Sequence, residues 1–502
     1  MNEAVDVVVV GAGPVGLLTA IELGLGGVRV KVLERLAAIS PAMKAMSVGV
    51  LGGEALARRG LAPALAAAEA RSAELMKQFS AQAGADVRGR TSKFSGHFAG
   101  LPLIRRDAQR EPERRSLAVH QQDLEAMLAE RALALGVEVQ RGCEVAGFDL
   151  RGEGVEVAWS SATGEGRIRC AYLVGCDGGR SLVRKRASFD FPGTPPSLTF
   201  YQAVAEIDHP QRLLPLGWNR TPGGVFSYGP VPGRVFMLDF SGPPEDRQAP
   251  LTREAFEAAL RRISGQDVRV KALESASRWA DNTRLVDSYR RGRVLLAGDA
   301  AHVHSPFGGQ GLNLGLVDAA NLGWKLAAVV RGEMPDSLLD TYTAERRPVA
   351  QAVLANTLAQ VAILRPDPQA GAMRDLIARL MQFDDVNRLI GEMMSGLSTR
   401  YELGAAEDEV GRLVGDRHVG GEGAAPLSLY GLMQDGRGVF LDATAGGQAS
   451  RLIAGSRLGI RCIAVDSGPS RLIRPDACVA WLGEGSGTDG LEETLRRWCG
   501  PL

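Results

Sequence analysis

The chain has 502 residues, room for two or three domains with sizeable cores, and its 58 Lys plus Arg balance its 58 Asp plus Glu. That balance leaves no global field to favour nucleic acid or an anionic membrane, and no run of about twenty uninterrupted apolar residues offers a transmembrane helix. A cytoplasmic protein is expected, and the six cysteines, none in a CxxC pair, read as small buried hydrophobes of a reducing compartment.

Residues 7–16 read VVVVGAGPVG, a β-rich strand, a tight glycine turn and a helix start. This order places a pyrophosphate on a helix N-terminus. Gly11 can take the turn, Gly13 lets the backbone approach phosphates and Gly16 lets the helix pack on the strand, with Pro14 and Val15 opening the helix between them. Residues 28–33 alternate as a second strand ending in Glu34, where an acid can accept both hydroxyls of an adenosine ribose. Arg35 beside it reads as a solvated charge in preference to a reader of a 2′-phosphate, and is kept among the candidate cofactor contacts. An adenine dinucleotide site follows.

Strands and helices alternate to about residue 60, an Ala-rich helix runs to about 72, residues 73–117 look irregular, and an amphipathic helix covers 122–135. Residues 137–174 are strand-like and lead into YLVGCDGGRSLVRK at 172–185, where an apolar strand again meets an acid and glycines, Asp177, Gly178 and Gly179. The basic runs at 105–115 and 184–186 read as solvated faces. From 199 to 240 the pattern is β-rich, and Phe226, Tyr228 and Phe236 alternate so as to share one sheet face, as core or as pocket lining.

Residues 298–311, GDAAHVHSPFGGQG, place Asp299 after the apolar run 294–297 and a Pro306-Phe307-Gly308-Gly309 loop before a helix that opens at Gly311, Leu312 and Asn313. Unpaired N–H groups at such a helix start can stabilise negative charge. A bound flavin needs this second grip, which a nicotinamide dehydrogenase does not. His302 and His304 stand close, but no acid or cysteine cluster accompanies them, so no metal is expected. Helix continues to about 397 with breaks at 332 and 366, residues 398–420 read as a linker, and strands at 438–442, 460–465 and 478–482 precede a helix at 491–498. There is no GxSxG elbow and no HExxH, so the hard chemistry falls to the cofactor.

The three glycine and acid motifs, in this order, resemble the FAD-dependent class A aromatic hydroxylases of the para-hydroxybenzoate hydroxylase fold. GHFAGLPL at 96–103, RGCEVAGF at 141–148, FDFPGT at 189–194, YRRGRVLLAGDAAHVH at 289–304 and LIRPDACVAW at 472–481 are similar to the branch acting on aromatic polyketides, the angucycline and anthracycline hydroxylases. The resemblance implies an α/β fold: a Rossmann-like FAD-binding domain (1–182 and 276–400), an inserted β-sheet substrate domain (183–275) and a thioredoxin-like C-terminal domain (401–502). That last domain, lacking CxxC, would serve packing or homodimer contacts. Further implied are FAD, transient NADPH or NADH, and O2, with a C4a-hydroperoxide of the flavin hydroxylating a phenolic, polyketide-like small molecule, and neither nucleic acid nor membrane as partner.

By the same likeness Asp299 would hold the ribitol and Asp177 and Gly178 would face FAD and NADPH, while Gln121, Gly298 and Asn313 would lie near the flavin and residues 306–309 would border the reacting oxygen. At 43–45 the chain reads Met43-Lys44-Ala45 where the family carries an arginine, so Lys44 keeps the charge without the planar fork. Leu314 and Val317 likewise replace polar residues. A cavity lined by residues 73–117 and 199–280 would take the substrate, with His97, Phe226, Tyr228 and Phe236 as contacts. Baeyer–Villiger oxidation or antibiotic inactivation on the same fold, and a flavoprotein that binds an aromatic ligand without turnover, are the alternatives; a flavin halogenase is disfavoured because WxWxIP is missing.

Overall fold

A computed structural model describes the chain apart from residues 1, 2, 43, 83–93, 230, 247, 248, 421–426, 484–486, 501 and 502. Met43 and residues 83–93 of the stretch expected to be irregular therefore lie outside the described residues. Five parallel strands form the central sheet, in the order Val294–Leu296, Tyr172–Gly175, Val7–Val10, Val30–Glu34 and Glu138–Arg141, with Arg290–Arg291 antiparallel at one edge. Val7–Val10 and Tyr172–Gly175 are buried throughout, as strands covered on both faces must be. Val10 pairs with Gly175 on one side and Leu33 on the other, and Gly175 pairs with Leu296. Motifs separated by up to 290 residues in sequence thereby end level with one another at the carboxyl edge, where open α/β sheets bind ligands.

Helix Pro14–Leu25 lies between helices Gln310–Val330 and Gln121–Ala134. Its approach to the first depends on missing side chains, since a Cβ on Gly323 would sit 2.2 Å from the Glu22 Cβ. The Ala-rich helix spans Ala62–Gln82, longer than its composition suggested, and the hairpin Phe94–Phe98 and Leu101–Arg105 occupies sequence expected to be irregular.

The middle sheet is fully antiparallel, ordered Gly217–Thr221, Gly224–Tyr228, Arg234–Asp239, Thr199–Asp208 and Arg269–Ala280. Because Arg269–Ala280 pairs with Thr199–Asp208 as far as Ala280, the domain boundary expected at 275 falls inside a strand. One face is covered by helix Arg253–Ser264 through Phe256, Leu260 and Ile263, and Phe226 and Tyr228 pack there. Phe236 points the other way. It is paired with Ser227, one position out of step with Phe226 and Tyr228, and a one-residue offset inverts the face. The expectation of a single aromatic face is corrected accordingly: Phe226 and Tyr228 are core under a helix, and Phe236 joins Phe200, Trp218, Trp279 and Phe307 in an aromatic cluster with ring centroids 5.5–6.1 Å apart.

The C-terminal sheet is ordered Arg461–Ala464, Val439–Asp442, Ser470–Ile473 and Val479–Gly483, and helix Leu491–Cys499 packs on it. Its first pair is parallel and the others antiparallel, a thioredoxin-like arrangement. Residues 398–420 do not behave as a free linker, because Tyr401, Val410 and Leu413 are buried. Nor are all the cysteines buried: Cys462 is exposed and Cys176 half-buried. No described helix is long and apolar enough to cross a membrane.

A buried network of opposed charges joins this C-terminal sheet to helix Gln310–Val330. Arg474 donates to both oxygens of Glu345 at 2.8 Å and to Asp476 Oδ2 at 2.6 Å, and Lys325 donates to Glu345 Oε2 at 2.8 Å and to Asn321 Oδ1 at 2.9 Å. Burial pushes the Lys325 ammonium down to about 8, opposed chiefly by Glu345. Glu345→Ala should cost about 3–5 kcal/mol, since two buried cations lose their shared partner. Urea unfolding checks this, with Arg496→Ala on an exposed helix pair expected to stay within about 0.5 kcal/mol of wild type.

Candidate flavin and substrate site

Four neighbouring strands deliver four polar or glycine elements to one edge. After Val7–Val10, Gly11 adopts φ +102° and a Cβ there would lie 2.5 Å from the Cys176 carbonyl oxygen; a Cβ on Gly16 would lie 1.9 Å from the Gly11 oxygen. Gly13 stands before the helix with nothing within 4 Å of the position its Cβ would take, and no side chain caps the helix. Its N–H groups are thus available to an anion. Glu34 ends the next strand with its carboxylate fixed by the Ala12 and Leu36 amides, each donating at 2.8 Å. Further lone pairs on the same oxygens can accept hydroxyls. Arg35 is exposed, as expected of a solvated charge.

Asp177 follows the third strand. Its Oδ2 accepts the Leu182 and Val183 amides at 2.6 and 3.1 Å, and its buried Oδ1 has no partner among the described residues. Gly178, with φ +79°, is open around its Cβ position. Arg184 is not solvated: it is buried, donates to the Ala300 and Gly179 carbonyls at 2.9 Å and lies 3.9 Å from the Phe191 ring centroid.

The fourth strand leads to Gly298 and Asp299. Asp299 is open to solvent yet enclosed on most sides, so its carboxyl lies above the ordinary range, with His302 and Lys44 pulling it back. Sequence reasoning missed what holds this turn. Asp318, two turns into the next helix, accepts from the Gly298 amide at 3.2 Å and from Arg346 Nε at 2.7 Å, and its Oδ2 is 2.8 Å from His302 Nε2. The only signal was a charge inside an otherwise apolar helical run. His302 is therefore committed to Asp318, and no group of metal-ligating residues occurs among the described residues.

Beyond Asp299, Gly308 and Gly309 both have positive φ, and a Cβ on Gly308 would strike Met394 at 2.2 Å. The helix then begins at Gln310, one residue before its expected start. Asn313 is occupied in holding the fold: its Oδ1 accepts the Gly49 amide at 2.6 Å and its Nδ2 donates to the Gly309 carbonyl at 2.8 Å. Leu312, on the same first turn, packs against the main core. Gln121 is the first residue of its helix and exchanges hydrogen bonds with Ala45, beside exposed Lys44. Pro306 is exposed, whereas Phe307 is buried in the aromatic cluster. Val15 packs against Gly298.

Two cavities meet at Gly308, Gly309, Ser47 and Met394, one of about 300 Å³ and one of about 2000 Å³. The larger is walled by residues 66–77, the hairpin with His97 and Ile104, residues 106–118, and residues 391–417. No residue of the middle sheet lines it. Residues 199–280, expected to line a substrate cavity, do not border this one, which is bounded by helix Asp384–Ser395 and the segment after it; the inner face of the middle sheet is filled by its own aromatic cluster. Of the four expected contacts only His97 reaches the cavity. Burial and the nearby Arg374 push its imidazole down to about 4, and its Nδ1 accepts the Gly100 amide at 3.2 Å.

A helix N-terminus open to phosphates, a fixed carboxylate for a ribose and a second carboxylate lying open after the fourth strand together fit an extended flavin dinucleotide, so the fold and site define a flavoprotein enzyme. The chain belongs to the FAD-dependent aromatic monooxygenases: the FAD binding domain family matches residues 4–357 and the aromatic-ring hydroxylase C-terminal family residues 407–501. It is 39% identical to the 12-dehydrotetracycline 5-monooxygenase/anhydrotetracycline 6-monooxygenase of Streptomyces rimosus subsp. rimosus, covering 99% of both chains. It is also 39% identical to a rifampicin monooxygenase of Streptomyces venezuelae, over 95% of this chain and 96% of the other. The solved structure of OxyS anhydrotetracycline hydroxylase from Streptomyces rimosus superposes with a TM-score of 0.85 at 36% identity, covering 99% of each chain.

The neutral His97 has a consequence for stability. The unfolded imidazole protonates near 6.5 while the folded one resists until about 4, so the unfolded chain binds the extra proton in that window. This contribution is complete above pH 6.5 and is lost as pH falls toward 4. The stability gap between wild type and His97→Asn should narrow between pH 7 and pH 4.5 in urea titrations; parallel curves would refute the burial of a neutral ring.

Proposed function

We propose that the protein is an NAD(P)H-consuming FAD monooxygenase that hydroxylates a phenolic, polyketide-like multi-ring molecule in the cytoplasm. The observation that carries this reading is the meeting of the flavin grip and a cavity of about 2000 Å³ at one loop, Gly308–Gly309. Small-molecule sites commonly enclose about 300–1000 Å³, so the volume here leaves room for several fused rings. The tetracycline-type substrates named for its relatives are of that kind.

In this reading the Gly13 turn and the start of helix Pro14–Leu25 hold the pyrophosphate, Glu34 the adenosine ribose and Asp299 the ribitol. Lys44 and Gln121 flank the flavin, and Asp177 with Gly178 faces both FAD and the reduced nicotinamide. Bound FAD supplies the chemistry that no side chain here can: reduction by NAD(P)H and activation of O2. The residues of this chain bind, orient and exclude water. The Gly308 amide can donate toward a developing negative charge, the Gly309 amide being bound to the Pro306 carbonyl at 3.2 Å, and Met394 leaves no room for a side chain at Gly308. Asn313 acts indirectly, tying Gly49 to Gly309 so that the loop and the segment after Lys44 keep their spacing.

Purified protein should carry FAD and oxidise NADPH faster with a multi-ring phenol than with a single-ring phenol, the product gaining one atom of labelled oxygen from O2 by mass spectrometry. Bound FAD without stimulation by any fused-ring phenol would leave a ligand-binding flavoprotein and sink the hydroxylase reading. Asp299→Ala should weaken FAD about 10-fold to 100-fold, the worth of hydrogen bonds to a charged acceptor, read by recovery of flavin fluorescence on dilution. Rifampicin as substrate gives the antibiotic-modifying alternative its own trial.

A further inference from the structure

Positive charge on the wall of the large cavity is almost everywhere answered by a carboxylate. Arg110 faces Glu392 at 3.5 Å, Arg114 faces Glu54 at 2.7 Å, Arg115 faces Glu69 at 2.5 Å and Lys77 faces Glu74 at 3.7 Å. At the far end Arg412 is paired with Asp408, and Arg417 and Arg471 share Glu409. Arg106 is different. It lines the same cavity and is half-buried, it has no carboxylate within 4 Å, and its buried Nε has no hydrogen-bond partner among the described residues.

Its position explains why no carboxylate among the described residues meets it. Arg106 directly follows the strand Leu101–Arg105, whose last residue turns away to Asp384 and presents its amide to Asn387. Arg106 alternates to the opposite side, the cavity side shared with Ile104. Gln109, on the same wall, directs its Nε2 to the Arg105 carbonyl at 2.9 Å and to Asn387 Oδ1 at 3.3 Å. His97 on the same wall adds no negative charge. A guanidinium left without a partner in a partly desolvated place costs stability; its fork matches two oxygens of one anionic group.

We propose that Arg106 is a specificity-determining residue that reads an ionised oxygen group on the substrate, a carboxylate or the ionised oxygens of a β-dicarbonyl unit, and so selects acidic multi-ring phenols over neutral ones. The proposal rests on the hydroxylase reading for the word substrate, but its test needs only binding. The ligand is then held at two ends. The anionic end meets Arg106 on the hairpin, and the ring to be oxidised extends toward Gly308 and Gly309 in the same cavity.

The experiment uses the FAD-loaded enzyme and two probes, a dihydroxyanthraquinone carboxylate and the corresponding neutral carboxamide, with binding followed by flavin and tryptophan fluorescence. Wild type should prefer the carboxylate. Arg106→Gln should weaken the carboxylate about 10-fold to 100-fold, the range for a charge-assisted hydrogen bond, and leave the carboxamide and FAD affinity unchanged. Arg106→Lys should recover part of the loss, as a point charge without the fork. Arg110→Gln, on an ion-paired cation of the same wall, should change neither probe. Equal weakening of both probes by Arg106→Gln, binding of neither probe by wild type, or a raised KM for NADPH with unchanged probe binding would each overturn the proposal, the last by assigning Arg106 to the nucleotide phosphates. Failure of turnover with intact charge discrimination would count against the proposed reaction alone.

Discussion

Asp318 is the residue on which the site depends. A carboxylate with negligible exposure inside an apolar helix is tolerable only if its charge is matched, and here Arg346, His302 and the Gly298 amide supply the match. Arg346 and the aspartate hold each other ionised, the carboxyl below and the guanidinium above its ordinary range, each against the cost of burial. The effect is geometric. One side chain fixes the turn at Gly298, the histidine four residues on, and a second helix through Arg346, so that Asp299 can lie open to a ligand while the backbone beneath it stays still. The adjoining network of Lys325, Glu345, Arg474 and Asp476 continues the same helix into the C-terminal sheet. That domain is thus tied to the helix that carries Asp318 by buried charge.

The parallel sheet was legible in the sequence because strands buried on both faces read as unbroken apolar runs, and four of them lead into glycines or acids with few structural reasons to be there. Gly11, Glu34, Asp177 and Asp299 arrive together for the plain reason that their strands are neighbours in register. The middle sheet was legible as strands and not as a surface. Alternation in Gly224–Tyr228 and Arg234–Asp239 is real, but which positions share a face depends on pairing register, which is a property of two strands and the turn between them. Phe226 and Tyr228 therefore went under a helix while Phe236 faced Phe307.

Other features could not be read because their causes lie far off in the chain. Asp318 has its partners 16, 20 and 28 residues away. The hairpin Phe94–Phe98 and Leu101–Arg105 lacks strong β-branched alternation and is held by tertiary contacts, including Asn387 at the Arg105 amide and the Leu103 carbonyl. Arg184 sits in a basic run that composition alone assigns to solvent, yet two carbonyls and the Phe191 ring accept it in the interior. Charge runs are averages over residues, and burial is decided one side chain at a time.

The division of the cavity wall from the flavin grip has a physical rationale. The candidate flavin grip consists of strand ends, glycines and half-buried or exposed carboxylates whose geometry is set by the central sheet, so small changes there disturb the core. The large cavity is bounded instead by a hairpin, the segment 106–118 and the residues around helix Asp384–Ser395, elements that lie outside the strands of the parallel sheet. Side chains on that wall can change size or charge without altering the turns at Gly11 or Gly298. A cation such as Arg106 can stand without a carboxylate partner among the described residues because the parallel sheet and its strand-end turns do not rest on it.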